Sequence, residues 1–380
     1  MISWLQNVYS SEFEDCRLEQ GGRRRGKTNY RWALIQVHGL GVWMTLRGYI
    51  VRRLAHTLVL VLFVIALNWV IFQLMPGVQG SIAALIGKPS AGAEVKEQVY
   101  QNYLKMYGLD KPPLDRFVTY FWDMLTFNLG TSFQTNHPVL QDMVQSGRLQ
   151  NTLLLLGTST VLSIVIGISL GILAAHKRGS VVDNFWTTAS LSTYSLPSFW
   201  IGVSFILIFS ITLGWLPSGG IVPNTWAQGG ALLPSTLVQL LVRLQYLFLP
   251  ALTLTLFSYG GFLLLTRATM VETLGDDYIV TARAKGLSER TVLFKHAFRN
   301  ASLPIVTASA LAFGSLLSGA IITETVFNWD GLGLWLFNAI GWKDYPVMQA
   351  MFFILGLSVI AANLVSDLIY GMIDPRIKYE

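Results

Sequence analysis

Near the start of the chain, GGRRRGKT (Gly21 to Thr28) satisfies the phosphate-loop pattern G-x-x-x-x-G-K-[ST]. In a working loop of this kind a buried β-strand delivers a glycine-rich turn to a helix N-terminus, where backbone N–H groups converge on phosphate. Neither flank supplies that setting. SSEFEDCRLEQ lacks the apolar run of a buried strand, and NYRWALIQVHGLG is interrupted by glycines. Arg23, Arg24 and Arg25 would crowd the backbone where a ligand must approach. The stretch reads as a basic tail.

Other chemistry is scarce. A single cysteine, Cys16, excludes an internal disulfide, and the five histidines (His38, His56, His137, His176, His296) have no metal-ligand spacing. No HExxH, GxSxG or paired aspartates occur in the apolar stretches, so hydrolysis has no candidate residues. Ionisable groups inside such stretches mark ion paths. Here Arg53, Arg267 and Glu324 fall at their ends, and Asp367 lies near the end of the last one. Asp367 is expected to pair with a nearby basic group rather than to act as a coupling carboxylate. Proton-driven antiport is disfavoured.

The elements that position these residues are membrane helices. Hydrophobic residues make up 52% of the 380, charged residues only 13%, and the mean hydropathy is +0.49, too apolar to clothe a soluble protein. Stretches of about 20 apolar residues, enough to cross ~30 Å of hydrocarbon, predict six spans at roughly 54–75, 152–175, 186–213, 248–270, 303–323 and 347–373. The third contains Pro197 and should be kinked. A glycine-interrupted piece, about 31–46, suits the membrane interface. Of the 27 Lys and Arg residues, 19 fall in the terminal segments and in 176–185 and 267–302, which places both termini in the cytoplasm. The 76–151 segment, with a helical stretch AEVKEQVYQNYLKMYGLD, reads as a small external cap. Gly167 and Gly171 form a small-xxx-small pair suited to close helix packing.

The most informative segment is cytoplasmic. GDDYIVTARAKGLSERTVLFKHAFRNASLP reads as two short helices: Asp276 or Asp277 caps the first, Gly286 ends it in a left-handed conformation, and Ser288 caps the second. Thr281, Ala282 and Ala284 give the first helix a small-residue side that invites a partner groove. In the second, Leu293, Phe294, Ala297 and Phe298 share a face opposite Lys295, His296 and Arg299.

That segment resembles the cytoplasmic signature of ABC-importer permeases, in the longer-spaced version of the dipeptide/oligopeptide family. YGLDKPPLDRF, NLGTSF, LGILAAHKRGSVVDN, YSLPSFWIG, LGWLPSGG, TRATMVETLGDDY, ETVFNWDGLG, KDYPVMQA and DPRIKYE continue the likeness, from about Tyr49 to Glu380. The resemblance implies an all-α polytopic membrane protein of the type I ABC importer permease fold. Residues 49–380 would form the transmembrane domain, with a coupling segment at 271–302, behind a basic N-terminal extension of residues 1–48. It implies a subunit of a prokaryotic cytoplasmic (inner) membrane importer of peptides, paired with a second homologous permease, two cytoplasmic ABC ATPase subunits and an extracytoplasmic solute-binding protein. ATP and Mg would be bound by the ATPase subunits, with no cofactor in this chain and no nucleic-acid partner. Contact with the ATPase would fall on Asp277, Tyr278, Thr281, Ala282, Arg283, Ala284, Lys285 and Gly286.

Ser258, Tyr259, Ser309 and Phe313, uncharged residues of the fourth and fifth spans, are the candidates for the substrate path. Val280 stands where the general importer signature has glutamate, Val78 and Gln79 replace an Asp-Pro, and Gln150 and Asp330 replace prolines. Oligosaccharides or nickel chelates as cargo, or a stand-alone carrier or channel, remain the alternatives at this point. If GGRRRGKT is only a basic tail, Lys27→Ala should leave ATP-driven uptake by the assembled complex within about twofold of wild type. A phosphate-binding lysine, which contacts the β- and γ-phosphates directly, would lose nearly all activity.

Overall fold

The computed structural model describes residues 46–74, 111–227, 236–314 and 320–373. The basic tail with its glycine-lysine motif, most of the 31–46 piece, Val78, Gln79, the helical stretch at 93–110 and the terminal DPRIKYE lie outside those residues. Among the described residues the structure is helical, with one isolated bridge between Thr131 and Pro138.

Helix α1 (Leu46–Leu74) is apolar with little bias to one face, and it buries Ile65 and Phe72 while leaving most of its apolar side chains exposed, as suits a helix that faces lipid over most of its surface. Two short helices follow, α2 (Pro113–Leu125) and α3 (Val139–Gln145), and then the long α4 (Arg148–His176). Ser180 caps α5 (Val181–Ser195) by accepting from the Asp183 N–H. Leu196 is extended, as the residue before a proline must be, and the chain re-enters a helix as α6 (Ser198–Phe205), continued by a π-helical stretch, Ile206–Thr212. The two halves meet at 98°. Pro197 thus breaks the third span rather than merely bending it.

Helix α7 (Thr236–Leu274) has 39 residues, about 58 Å at 1.5 Å per residue, so it outruns a bilayer core of ~30 Å. It leads into α8 (Asp277–Ala284), a short turn Glu289–Thr291, a π-helical stretch Val292–Ala297 and α9 (Phe298–Gly314). The last elements are α10 (Ile321–Val326), α11 (Leu332–Trp342) and α12 (Tyr345–Ile373). Among the described residues four helices are long and apolar enough to cross a membrane, or five when the broken α5–α6 pair is taken as one span. The expected span at 303–323 is divided between α9 and α10, with 315–319 outside the described residues.

The central packing is between α4 and α7. A Cβ on Gly167 would sit 2.5 Å from the Phe262 Cβ and 2.7 Å from the Tyr259 carbonyl oxygen. One on Gly171 would sit 2.6 Å from the Thr266 Cβ and 2.8 Å from the Leu263 carbonyl oxygen. The small-xxx-small pair therefore lets two backbones approach more closely than any side chain allows. A second core joins α1, α2, α3, α11 and α12 around Ile65, Val139, Trp335 and Met351. Asp344 ties the segment before α3 to this core. Its buried carboxylate accepts from Ser132 Oγ at 2.5 Å and from the N–H groups of Phe133 and Gln134 at 3.1 and 3.3 Å. Near the other end of α12 Arg53 donates to Asp367 at 2.7 Å, the basic partner expected for that carboxylate.

Gly171→Val should lower the melting temperature of the detergent-purified protein, because the neighbouring atoms are backbone and Cβ and overpacking of this kind costs roughly 1–3 kcal/mol. Gly157→Ala, where a Cβ meets nothing within 4 Å, should leave it unchanged.

Candidate functional site

The segment after α7 is built by local signals and then held by burial. Asp276 occupies the N-cap position of α8, yet its side chain makes no capping bond. At the other end the Gly286 N–H donates to the Arg283 carbonyl at 2.9 Å and the Leu287 N–H to the Ala282 carbonyl at 3.4 Å. This is the paired-bond helix stop that requires a left-handed residue, and Gly286 has φ +74°. Ser288 then accepts from the Thr291 N–H and starts the next turn.

Ile279 and Ala282 point inward from α8, against Met270, Val292, Leu293 and Ala297. Asp277, Tyr278, Thr281, Arg283, Ala284, Lys285 and Gly286 face outward. Ala282 is a correction to the expected contact set: it is 6% exposed, and its small side chain serves the fit of α8 onto its own bundle rather than onto a partner. The outward face gains Val280 instead, 60% exposed and one turn from Asp277 and Ala284. Standing where the general importer signature has glutamate, it gives the surface an apolar centre. Phe294 is a second correction. The π-helical stretch adds a residue to the turn and rotates Phe294 outward, 58% exposed, while Val292, Leu293 and Ala297 stay buried.

Two side-chain contacts fasten α8 at either end. Asn300 Nδ2 donates to the Tyr278 hydroxyl at 2.8 Å, and the Arg283 guanidinium spans both Glu289 oxygens at 2.8 and 3.3 Å. Glu289 also lies 3.9 Å from His176 Nδ1 at the end of α4. The hydrogen bond from Arg283, opposed by a smaller effect of burial, holds the Glu289 carboxyl below its ordinary value of 4.5.

A cavity of about 590 Å³ opens on α4, α6, α7, α9 and α10. Its wall carries the hydroxyl residues Ser159, Thr160, Ser163, Ser198, Ser258 and Thr323 and the rings of Phe257 and Phe262, with no charged side chain among the described residues. Of the four path candidates only Ser258 lines it. Tyr259 is buried at the α4–α7 contact and is corrected to a packing residue. Ser309 donates to the Ile305 carbonyl of its own helix at 2.8 Å, and Phe313 is exposed beside the lining residue Ala312.

The rim of this cavity is fixed by a group that sequence reading had placed merely at a span end. Glu324, fully buried, accepts from the Thr152 hydroxyl at 2.8 Å and from the Leu334 N–H at 3.0 Å, so one carboxylate joins α4, α10 and the start of α11. Beside it the Trp329 ring N–H donates to the Asn151 carbonyl at 3.0 Å, Asn151 Nδ2 donates to the Asp330 carbonyl at 2.7 Å, and Arg243 bonds the Asn151 side chain. Arg148 bonds Asp330 at 3.1 Å.

The geometry thus combines a short helix, α8, fastened at both ends with a cavity whose described lining is uncharged, and comparison with known proteins gives the family. Residues 167–379 match the model of the binding-protein-dependent transport system inner membrane component. The chain belongs to this family. It is a multi-pass inner membrane protein and the membrane component of a binding-protein-dependent transport system. It is 34% identical to the oligopeptide transport system permease protein AppB of Bacillus subtilis, over 87% of this chain and 99% of that protein. It is 36% identical to the di/tripeptide transport system permease protein DppB of Pseudomonas aeruginosa, over 88% and 99%. With the dipeptide transport system permease protein DppB of Escherichia coli K12 the identity is 34%, over 87% and 99%. The matched region takes in α8 and its left-handed glycine.

The sign of the Glu289 shift sets a pH dependence. Because the folded value lies below the unfolded one, the contribution of the Arg283–Glu289 pair is complete above 4.5 and is lost as pH falls through the lowered value. Both side chains are more than 40% exposed, so the contribution is small, under about 1 kcal/mol. Glu289→Gln should reduce hydrogen-exchange protection of the α8 amides relative to wild type near pH 7. The difference between the two proteins, each measured at the same pH, should vanish well below 4.5.

Proposed function

We propose that this permease imports short peptides, driven by ATP hydrolysis in two separate cytoplasmic ABC ATPase subunits. A second homologous permease would pair with it around the path, and an extracytoplasmic solute-binding protein would deliver the cargo. The observation that carries the reading is the near full-length likeness to three permeases named for oligopeptide, di/tripeptide and dipeptide transport. The excess of Lys and Arg in the terminal segments and in 176–185 and 267–302 supports a cytoplasmic location for both termini, and in that orientation α8 lies where an ATPase would meet it.

The cavity suits this cargo. Every peptide presents backbone N–H and C=O groups, and its side chains vary in charge and size. Hydroxyl-bearing residues offer weak, exchangeable hydrogen bonds to the constant part, and the absence of fixed charge avoids trapping one class of side chain. ATP and Mg belong to the ATPase subunits in this reading, and the chain itself transmits movement. Asp277, Val280, Thr281, Ala284 and Lys285 form the contact face, while Ile279 and Ala282 anchor that face to the bundle so that α8 moves with α7.

Reconstitution tests the proposal. In proteoliposomes holding both permeases, the ATPases and the binding protein, ATP should drive uptake of a labelled tripeptide and omission of the ATPases should abolish it. Uptake of a labelled oligosaccharide or nickel chelate in place of peptide would overturn the substrate class. Gly286→Val should insert normally, since a Cβ there meets nothing within 4 Å, but it strains the left-handed turn by roughly 1–2 kcal/mol. The expected outcome is reduced ATPase retention in a pull-down and hydrolysis that no longer responds to the loaded binding protein.

A further inference from the structure

Helix α7 does more than carry α8. Two turns before its end, Arg267 donates from Nε and one terminal nitrogen to the two oxygens of Asp183, at 2.5 and 2.8 Å. Asp183 lies in the first turn of α5, and its side chain is 1% exposed. The same carboxylate accepts from the Gly179 N–H at 2.9 Å and from the Thr187 hydroxyl at 3.3 Å. One buried charge therefore holds the α4–α5 turn, the start of α5 and the end of α7 together, with donors on both oxygens.

A second contact repeats the register. A Cβ on Gly260 would lie 3.0 Å from the Ser190 carbonyl oxygen, so α5 and α7 touch closely there as well. Asp183 and Ser190 are about two turns apart on α5, and Arg267 and Gly260 are equally spaced on α7, so the helices run antiparallel in matched register. Beyond its far end α5 turns through 98° into α6, whose first residue, Ser198, lines the cavity. Toward its other end α7 passes through Gly275 and Asp276 into α8.

We infer that the Asp183–Arg267 pair is the joint through which movement of α8 and α7 reaches α5 and, by way of α6, the wall of the cavity. The planar guanidinium fixes direction as well as distance, because two parallel N–H···O bonds resist rotation of one helix against the other. A lysine ammonium would keep the charge and lose that constraint. Asp183 and Arg267 are thus positioning residues for transport, acting through the helices they join.

The inference rests on the proposed ATP-driven uptake, and the experiment separates the two. In proteoliposomes holding the complete complex, labelled tripeptide uptake and ATP hydrolysis stimulated by the loaded binding protein are measured together, for wild type, Arg267→Lys and Asp183→Asn. If wild type shows no ATP-driven uptake, the transport reading fails and the joint fails with it. Given wild-type uptake, Arg267→Lys should assemble and hydrolyse ATP in response to the binding protein, with uptake per ATP reduced roughly fivefold or more, the lower end of typical coupling between sites. Asp183→Asn should show at least as large a loss in the complexes that assemble. Gly356→Val, which overpacks the contact of α12 with Val64 of α1 and lies on other elements than the pair, should lower the yield of complex and leave uptake per ATP at the wild-type ratio. Overturning results would be an unchanged ratio in Arg267→Lys, failure of that variant to assemble, uptake and hydrolysis falling in proportion, or an equal loss of ratio in Gly356→Val.

Discussion

The close approach of α4 and α7 at Gly167 and Gly171 sets the terms for the rest of the molecule. In lipid there is no gain from removing apolar surface from water, so helices associate through packing and hydrogen bonds. Two missing Cβ atoms bring the α7 carbonyls of Tyr259 and Leu263 against the α4 backbone. That contact fixes the rotation of α7 about its axis. Tyr259 is committed to the seam, Phe257 and Ser258 are turned to the cavity, and Arg267 is turned to α5. A long helix held in one rotation presents a different task on each face.

Charge is then concentrated at a few buried carboxylates, each saturated with donors. Asp183, Glu324 and Asp344 accept from backbone N–H groups as well as from side chains, which offsets the several kcal/mol that burying an unpaired carboxylate would cost. Their positions divide the work. Glu324 meets Thr152 near the start of α4 and Asp183 meets the turn just beyond its end, about 40 Å apart at 1.5 Å per residue. Between them the cavity wall is left with hydroxyls and rings. Among the described residues these carboxylates stand outside the cavity wall, whose lining carries no charged side chain.

Helix α8 illustrates how a surface element is made to move with a core. Among the described residues its outward side chains bond to other elements only through Tyr278 and Arg283, whereas Ile279 and Ala282 are packed against the helices on either side of it. A loop with the same outward residues and no buried pair would yield locally when pushed. The buried face, with the left-handed stop at Gly286, ties α8 to the end of α7.

Much of this was determined by the sequence alone, wherever the signal acts over a few residues. Apolar length located the spanning helices, Pro197 located the break, Gly286 and Ser288 located the turn after α8, and the spacing of Gly167 and Gly171 marked the seam. Each is a backbone preference or a helix-face pattern that needs no knowledge of the partner. Tertiary structure alone decided which residues meet across the bundle. Asp183 and Arg267 are separated by 84 positions, Thr152 and Glu324 by 172, and Ser132 and Asp344 by 212, and nothing in the local sequence of either member names the other. Ala282 turned inward because α8 lies on Val292 and Leu293, Phe294 turned outward because a π-helical turn shifted its phase, and Tyr259 left the path for the seam. Periodicity gives the faces of a helix, but which face is buried depends on where its neighbours are packed.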